Sequence, residues 1–305
     1  MISLKSLQRA ALPGVMALVL LGTASQAQQS YPTPEDAAAA LASAVKSGPS
    51  DILKVLGKAA DDIVSSGDEV ADAELRQRFT AMYDTRHSIK AEGNKKAMLI
   101  LGPDEFPFPI PLVNTRTGWE FDTDEGRIEI LYRRIGRNEL DAIQTCLAYV
   151  DAQNEYADKD RGEGAGVYAQ RIVSTQGKKD GLFWRDDADP SPLGALAAQA
   201  SAEGYKAGEG GPTPYHGYYF RILKGQGSDA PGGVLNYVVK GKMIGGFALI
   251  AWPAEYGNSG VMTFLVNHAG TIYQKDLGKR TDFIAKRLTV FDPDQTWKKV
   301  DAAKP

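Results

Sequence analysis

A single cysteine, Cys146, stands among 305 residues. One thiol cannot close an internal disulfide, and it excludes the paired-cysteine spacings of zinc and redox sites. Histidine is nearly as scarce: His87, His216 and His268 lie far apart in unlike contexts, so no histidine-based metal motif is present. There is no phosphate-binding glycine loop, no G-x-S-x-G and no H-E-x-x-H. Beyond residue 27 no apolar run reaches the roughly 20 residues that a membrane-spanning helix needs. Positive charge is not in excess either. The 35 Lys and Arg face 38 Asp and Glu, a formal net charge of -3, which argues against a general nucleic-acid binder.

What the chain does have begins at its start. Lys5 and Arg9 form a positive region, "ALPGVMALVLLGTA" is a short apolar core, and "SQA" at 25–27 is a small-x-small cleavage signal. We read residues 1–27 as a signal peptide cleaved after Ala27, with an uncleaved anchor as the alternative. Its removal takes Lys5 and Arg9 from the 35 basic residues, leaving 33 against 38 acids, about -5. The expected location is periplasmic or otherwise exported, with no transmembrane segment after cleavage. With no disulfide, stability must come from core burial, which a chain of this length can supply.

The pattern predicts an α+β protein in two parts. Residues 31–131 read as helices followed by a small antiparallel sheet. Thr33, Pro34, Glu35 and Asp36 open the first helix, and Gly48 and Gly57 close two short ones. Leu75, Phe79, Met82 and Tyr83 share a face of a further helix. "KKAMLILG", "GWEFDTD" and "GRIEILYR" read as strands, and the alternate prolines of "PFPIPLV" force an extended or edge conformation. Residues 132–305 read as a second unit. A helix capped by Asn138 carries an apolar stripe of Leu140, Ile143, Leu147 and Val150, with Cys146 buried and inert on the same side. A loop-rich insert follows at about 158–214, containing the short helix "SPLGALAAQASAEGY". Five strands then come from "GYYFRILKG", "LNYVVKG", "GGFALIAWP", "GVMTFLVN" and "GTIYQKDLG".

Candidate chemistry is thin. "GQGSDA" at 225–230 matches a dinucleotide pattern, but "PGG" follows and no helix can start there to hold the phosphate. "DKDRGEG" at 158–164 fails as an EF-hand, because positions six and twelve are Glu163 and Ala169. It leaves a calcium loop using Asp158, Asp160 and Glu163, against a plain solvated turn. "SAVK" at 43–46 lacks the partners of an S-x-x-K site. His216, in "YHGYYF", could serve as a general base or simply pack and hydrogen-bond. Arg133, Arg134 and Arg137 precede the expected helix and could bind an anion, or pair with Glu129, Glu139 and Asp141. Tyr218 and Trp252 are the aromatic candidates for ligand contact. No cofactor is implied.

"PFPIPLV", "GWEFDT", "EILYRRIGRNELDAIQTCLAYVDAQNEYA", "GKKDGLFW", "YHGYYFRILKGQG", "MIGGFALIAWPAEYGNSGVMTFLVNHAGTIYQKDLG" and "FDPDQTW" resemble domain of unknown function 2950, an uncharacterised exported bacterial family, across nearly the whole mature chain. That resemblance carries no catalytic residue with it. The C-terminal half, from "ELDAIQTCLAYVDAQNEYA" to "FALIAWPAEYGNSGVMTFLVNHAGTIY", also resembles the soluble head of type IV pilin-like proteins and pseudopilins. That resemblance implies a long helix packed on an antiparallel sheet. The expected function is a non-enzymatic binding or assembly protein of the Gram-negative envelope, its partner an unidentified envelope protein or glycan. The alternative is a hydrolase or transferase acting on an envelope glycan or peptide through His216. An enzyme should bring His216 together with Asp, Glu or Ser in a cleft. A binding module should show an apolar or aromatic surface.

Overall fold

The computed structural model describes residues 28–186, 188–205 and 213–300, and the expected signal segment lies outside them. The architecture is α+β, with antiparallel pairing in every sheet. Thr33 caps α1 (Pro34–Ser47) by accepting the Asp36 N–H at 3.1 Å, with Pro34 in the first turn. Gly48 separates α1 from α2 (Pro49–Leu56). Next come α3 (Asp61–Val64) and α4 (Glu69–Thr85), the latter capped by Asp68. The sheet of this unit holds β1 (His87–Glu92), β2 (Lys96–Leu101), β3 (Phe106–Pro107), β4 (Leu112–Asn114) and β5 (Trp119–Phe121), in the order β1-β2-β4-β5 with β3 also on β2. Leu41, Ile52, Leu56, Ile110, Leu112 and Phe121 make its core. The sequence pattern missed β1. "HSIKAE" is an almost wholly exposed edge strand, so it lacks the apolar alternation that marks a half-buried one.

The second sheet runs β6 (Tyr218–Leu223), β11 (Ala248–Pro253), β12 (Met262–Asn267), β13 (Ile272–Asp276) and β14 (Lys298–Lys299), in that spatial order with β6 at one edge. Two short ribbons interrupt it, β7 (Gly225–Gln226) with β8 (Leu235–Asn236) and β9 (Val238–Val239) with β10 (Lys242–Met243). The expected single strand "LNYVVKG" is therefore two. All of β11 is buried, which is why it reads as an unbroken apolar run. One face meets α7 (Thr281–Ala285): Arg221 donates to the carbonyls of Ala285 and Leu288 at 2.7 and 2.6 Å, and the Trp252 indole donates to Asp282 at 3.2 Å.

The other side is covered by one long helix, α5 (Thr123–Ala157), of 35 residues and about 52 Å. Here the sequence expectation needs correction. "GRIEILYR" is not a strand, and the helix does not start at Asn138. Asp122 caps it, accepting the Glu125 N–H at 3.1 Å. Ile128 and Tyr132, which suggested alternation, are four residues apart on the solvent face, 59% and 70% exposed. Gly126, which looked like a breaker, permits close packing: a Cβ there would sit 2.6 Å from the Ile110 Cα. The boundary expected at 131/132 thus falls inside a continuous helix. Ile130 and Leu131 pack on the first core, while Ala142, Cys146, Tyr149 and Tyr156 belong to the second. Of the expected stripe, Val150 is buried and Ile143 and Leu147 pack on the second core, whereas Leu140 points outward at 58% exposure. The most buried line runs beside it, through Arg134, Asn138, Ala142, Cys146, Tyr149, Gln153 and Tyr156.

The two polar members at the head of that line sit where the halves of the molecule meet. Arg134 is 4% exposed. It donates to the Asp62 and Ile63 carbonyls of α3 at 2.7 and 2.6 Å and to Asn258 Oδ1 in the β11–β12 turn. Asn258 returns a bond to the Ser65 carbonyl at 2.8 Å, and Asn138 donates to the Ser259 carbonyl at 2.9 Å. Replacing Arg134 with Met would leave two carbonyls and an amide oxygen unpaired in a buried seam, a loss of about 3 kcal/mol. A lower urea midpoint is expected; an unchanged one would show that the seam does not depend on this residue.

Cys146 is fully buried, and burial pushes its thiol up to about 12. A thiol reagent should therefore label the native protein only at the rate of unfolding. Rapid labelling of the folded protein would contradict this placement.

Candidate functional site

His216 occupies an unusual backbone position. It and Gly217 both have positive φ, 47° and 74°, between Tyr215 and Tyr218, which exchange two backbone hydrogen bonds. This is the geometry of a two-residue turn that ordinarily takes Asn-Gly. Gly217 is required: a Cβ there would lie 2.5 Å from Asn138 Nδ2.

The strained turn is held on every side. His216 Nδ1 lies 2.9 Å from Asp141 of α5, and Nε2 lies 2.8 Å from Glu203, just beyond α6 (Gly194–Ala202). Its backbone N–H donates to the Tyr205 hydroxyl at 3.2 Å. That hydroxyl donates to Asp68 Oδ2, which also accepts the Gly217 N–H, at 2.8 and 2.9 Å. The Tyr215 ring stacks on the imidazole at 4.2 Å. Burial alone would lower the His216 pKa, but the hydrogen bonds to Asp141 and Glu203 and their charges outweigh it and raise the pKa to about 9. At neutral pH the ring is a cation donating from both nitrogens, with no lone pair free to abstract a proton. Burial, with help from Glu203 and Asp141, pushes Tyr215 up to about 12.

Beside this turn lies a cleft of about 1210 Å³. One wall is α6, with Leu196 and Ala197. Another is the insert, with Ile172, Phe183, Trp184 and Leu193. The edge strand β6 supplies Tyr219 and Phe220 and its neighbour β11 supplies Leu249, α5 supplies Thr145 and Tyr149, and Tyr205 and Tyr215 close the end next to His216. The wall is mostly aromatic and aliphatic, as ligand pockets are. Arg161 steadies the insert. Its side chain is 5% exposed, and its guanidinium sits 5.1 and 4.6 Å from the Tyr156 and Trp184 ring centres.

The other candidates are placed differently. Arg133, Arg134 and Arg137 do not converge, and they lie deep within α5 rather than at its N-terminus. Arg133 pairs with Glu129 at 2.6 Å and covers the Phe106 ring, Arg134 is in the seam, and Arg137 is exposed. Tyr218 and Trp252 are core residues that do not line the cleft; the Tyr218 hydroxyl donates to the Met262 carbonyl at 2.9 Å. Asp160 accepts the Gly162 and Gly164 N–H groups, both at 2.8 Å. Among the described residues no three or more His, Cys, Asp or Glu side chains are arranged to hold a metal ion, Asp158, Asp160 and Glu163 included. Asp141 was expected to pair with the arginines and is bound to His216 instead; Asp68, Glu203 and Tyr205 went unseen in the sequence because no local spacing links them to His216.

The raised His216 pKa fixes a pH dependence. A group whose pKa is higher folded than unfolded stabilises fully below its unfolded value, near 6.5, and loses that contribution as pH rises through about 9. The amount is on the order of 3 kcal/mol at most. Denaturant midpoints should fall between pH 6.5 and 9. His216→Asn, which tolerates the left-handed backbone, should flatten that slope; an equal slope in the variant would refute the clamp.

No curated protein and no solved structure matches the chain. One family model does, over residues 28–300, and so takes in α5, both sheets and the cleft. The chain belongs to that family, described as protein of unknown function, DUF2950.

Proposed function

We propose that this is a non-enzymatic binding protein of the cell envelope that takes its ligand into the cleft beside α6. The observation that carries this reading is the cleft itself, about 1210 Å³ with aromatic and aliphatic walls. The n-region, short apolar run and "SQA" at 25–27 support export, with the periplasm as the place of action. The second half of α5 lying on an antiparallel sheet supports the likeness to pilin-type heads, which we include in the proposal. The second reading is a hydrolase or transferase acting on an envelope glycan or peptide. The convergence of Asp141 and Glu203 on His216 beside a cleft favours it; the engagement of both ring nitrogens in hydrogen bonds counts against it.

The probe for this reading is 8-anilinonaphthalene-1-sulfonate. Saturable fluorescence enhancement at one site is expected. Leu196→Glu, which sets a charge in the cleft wall, should weaken binding about tenfold, because an unpaired charge opposes an apolar ligand. Absence of saturable binding, or Leu196→Glu binding like the wild type, would overturn the assignment.

A further inference from the structure

The floor of the cleft is a strand edge, and its hydrogen-bonding parity can be read. Ala254 N–H donates to the Gly217 carbonyl at 2.9 Å, and the register pairs Tyr219 with Trp252, Arg221 with Ile250 and Leu223 with Ala248. In an antiparallel pair bonded residues alternate with unbonded ones. So 217, 219, 221 and 223 are the β6 positions that bond to β11. The far side of β11 agrees. His268 N–H donates to the Phe247 carbonyl at 3.0 Å, so residues 247, 249 and 251 bond to β12 and 248, 250 and 252 are left for β6. The N–H and C=O groups of Phe220 and Ile222 therefore point outward across the free edge, and they have no hydrogen-bond partner in another element among the described residues.

Phe220 also lines the cleft. The cleft thus combines apolar side chains with the outward donor and acceptor of Phe220, and the same free edge continues beyond the lining residues with a second donor and acceptor at Ile222, at strand spacing. A purely hydrocarbon ligand would strip water from those groups and give nothing back, at about 1–3 kcal/mol for each group left unpaired. A polypeptide in extended form offers complementary groups at the same spacing, with every second side chain turned to the apolar wall. Charge adds a polarity. Arg185 is the one basic residue among the described lining residues and makes no ion pair among them, whereas Asp186 is matched by Lys179 at 2.9 Å.

We propose that the cleft binds an extended polypeptide segment, apolar at alternate positions and acidic at one end, which adds as a strand to the outer edge of β6. The proposal rests on the cleft being a ligand site and specifies what fills it. The edge strand is then the recognition element, and the α6 wall with the insert forms the opposite side of the slot.

Two measurements test it. The first is amide hydrogen exchange in the free protein. Phe220 and Ile222 should exchange much faster than Tyr219, Arg221 and Leu223, because only the latter are bonded within the sheet. Equal protection of all five would refute the parity. The second uses an acetylated, amidated heptapeptide that alternates Thr with Val or Phe and ends in Glu. It should bind and slow exchange at Phe220 and Ile222. N-methylation of one alternate set of its amides should weaken binding at least about tenfold, since two hydrogen bonds are lost, and methylation of the other set should not. Ile222→Pro removes one outward donor without touching a β6–β11 bond and should weaken binding about fivefold.

If the anilinonaphthalene probe binds and the peptide does not, or if both methylated peptides bind like the parent, strand addition is wrong and the cleft assignment survives. Self-association through β6 in place of peptide binding would also overturn the proposal. If neither probe nor peptide binds, the cleft assignment falls with it.

Discussion

One buried guanidinium connects everything else. Arg134 is placed by the first half of α5 and reaches the carbonyls of Asp62 and Ile63 in α3 and the Asn258 amide of the β11–β12 turn. Burial depresses its pKa, yet no acid touches it directly. Its charge is met by peptide and amide dipoles, with Asp72, Asp62 and Glu255 acting at longer range. Such an arrangement is costly to desolvate and more costly to break, so it specifies one relation between the halves rather than adding much net stability. Asn138, one turn further along α5, and Asp68, the cap of α4, continue the same polar seam to the His216 turn. The apolar cores lie on either side, and α5 is the element common to both.

How much of this was legible follows from which signals are local. The caps of α1, the helix near 69–85 and strands β2, β6, β11, β12 and β13 were readable because a cap, a turn or a bulky run is written within a few residues. β11 is buried along its whole length, and that burial is what makes "FALIAWP" unmistakable. The first half of α5 was not readable. Its solvent face carries Ile128 and Tyr132, and Gly126 and Gly136 flank the stretch, so period and punctuation both indicated a strand. Gly126 is there because Ile110 comes against the helix, a tertiary reason that no single segment displays.

The site was less legible than the fold. His216 stood out for its aromatic neighbours, but its meaning lies in Asp141 and Glu203, 75 and 13 residues away, and in Asp68, bonded to Gly217 across 149. None of these separations is a motif. The pairing of His with Gly did carry a local signal, since a two-residue turn with both φ positive favours Asn-Gly and tolerates His. The convergence that would mark an enzyme is present, but its sense is inverted. A histidine held by two carboxylates and a left-handed backbone is a fastening for α5, α6 and β6, not a free base.

That fastening explains why the cleft exists at all. An α/β layer normally closes its edge by pairing it or covering it with helix. Here α6 is kept at the rim instead. Its end is tied through Glu203 to His216 and, through Tyr205, to Asp68 in the first unit, and the insert is braced from inside by Arg161 between two rings. The wall is therefore held off β6 by contacts at its far end and cannot collapse onto the strand without breaking a charged clamp. Side chains that would fill the gap in a closed core, Leu196, Tyr219 and Phe220, stay half-buried. An open edge that is costly to leave unpaired, set behind a wall anchored to stay apart, is the arrangement expected of a slot whose filling comes from outside the chain.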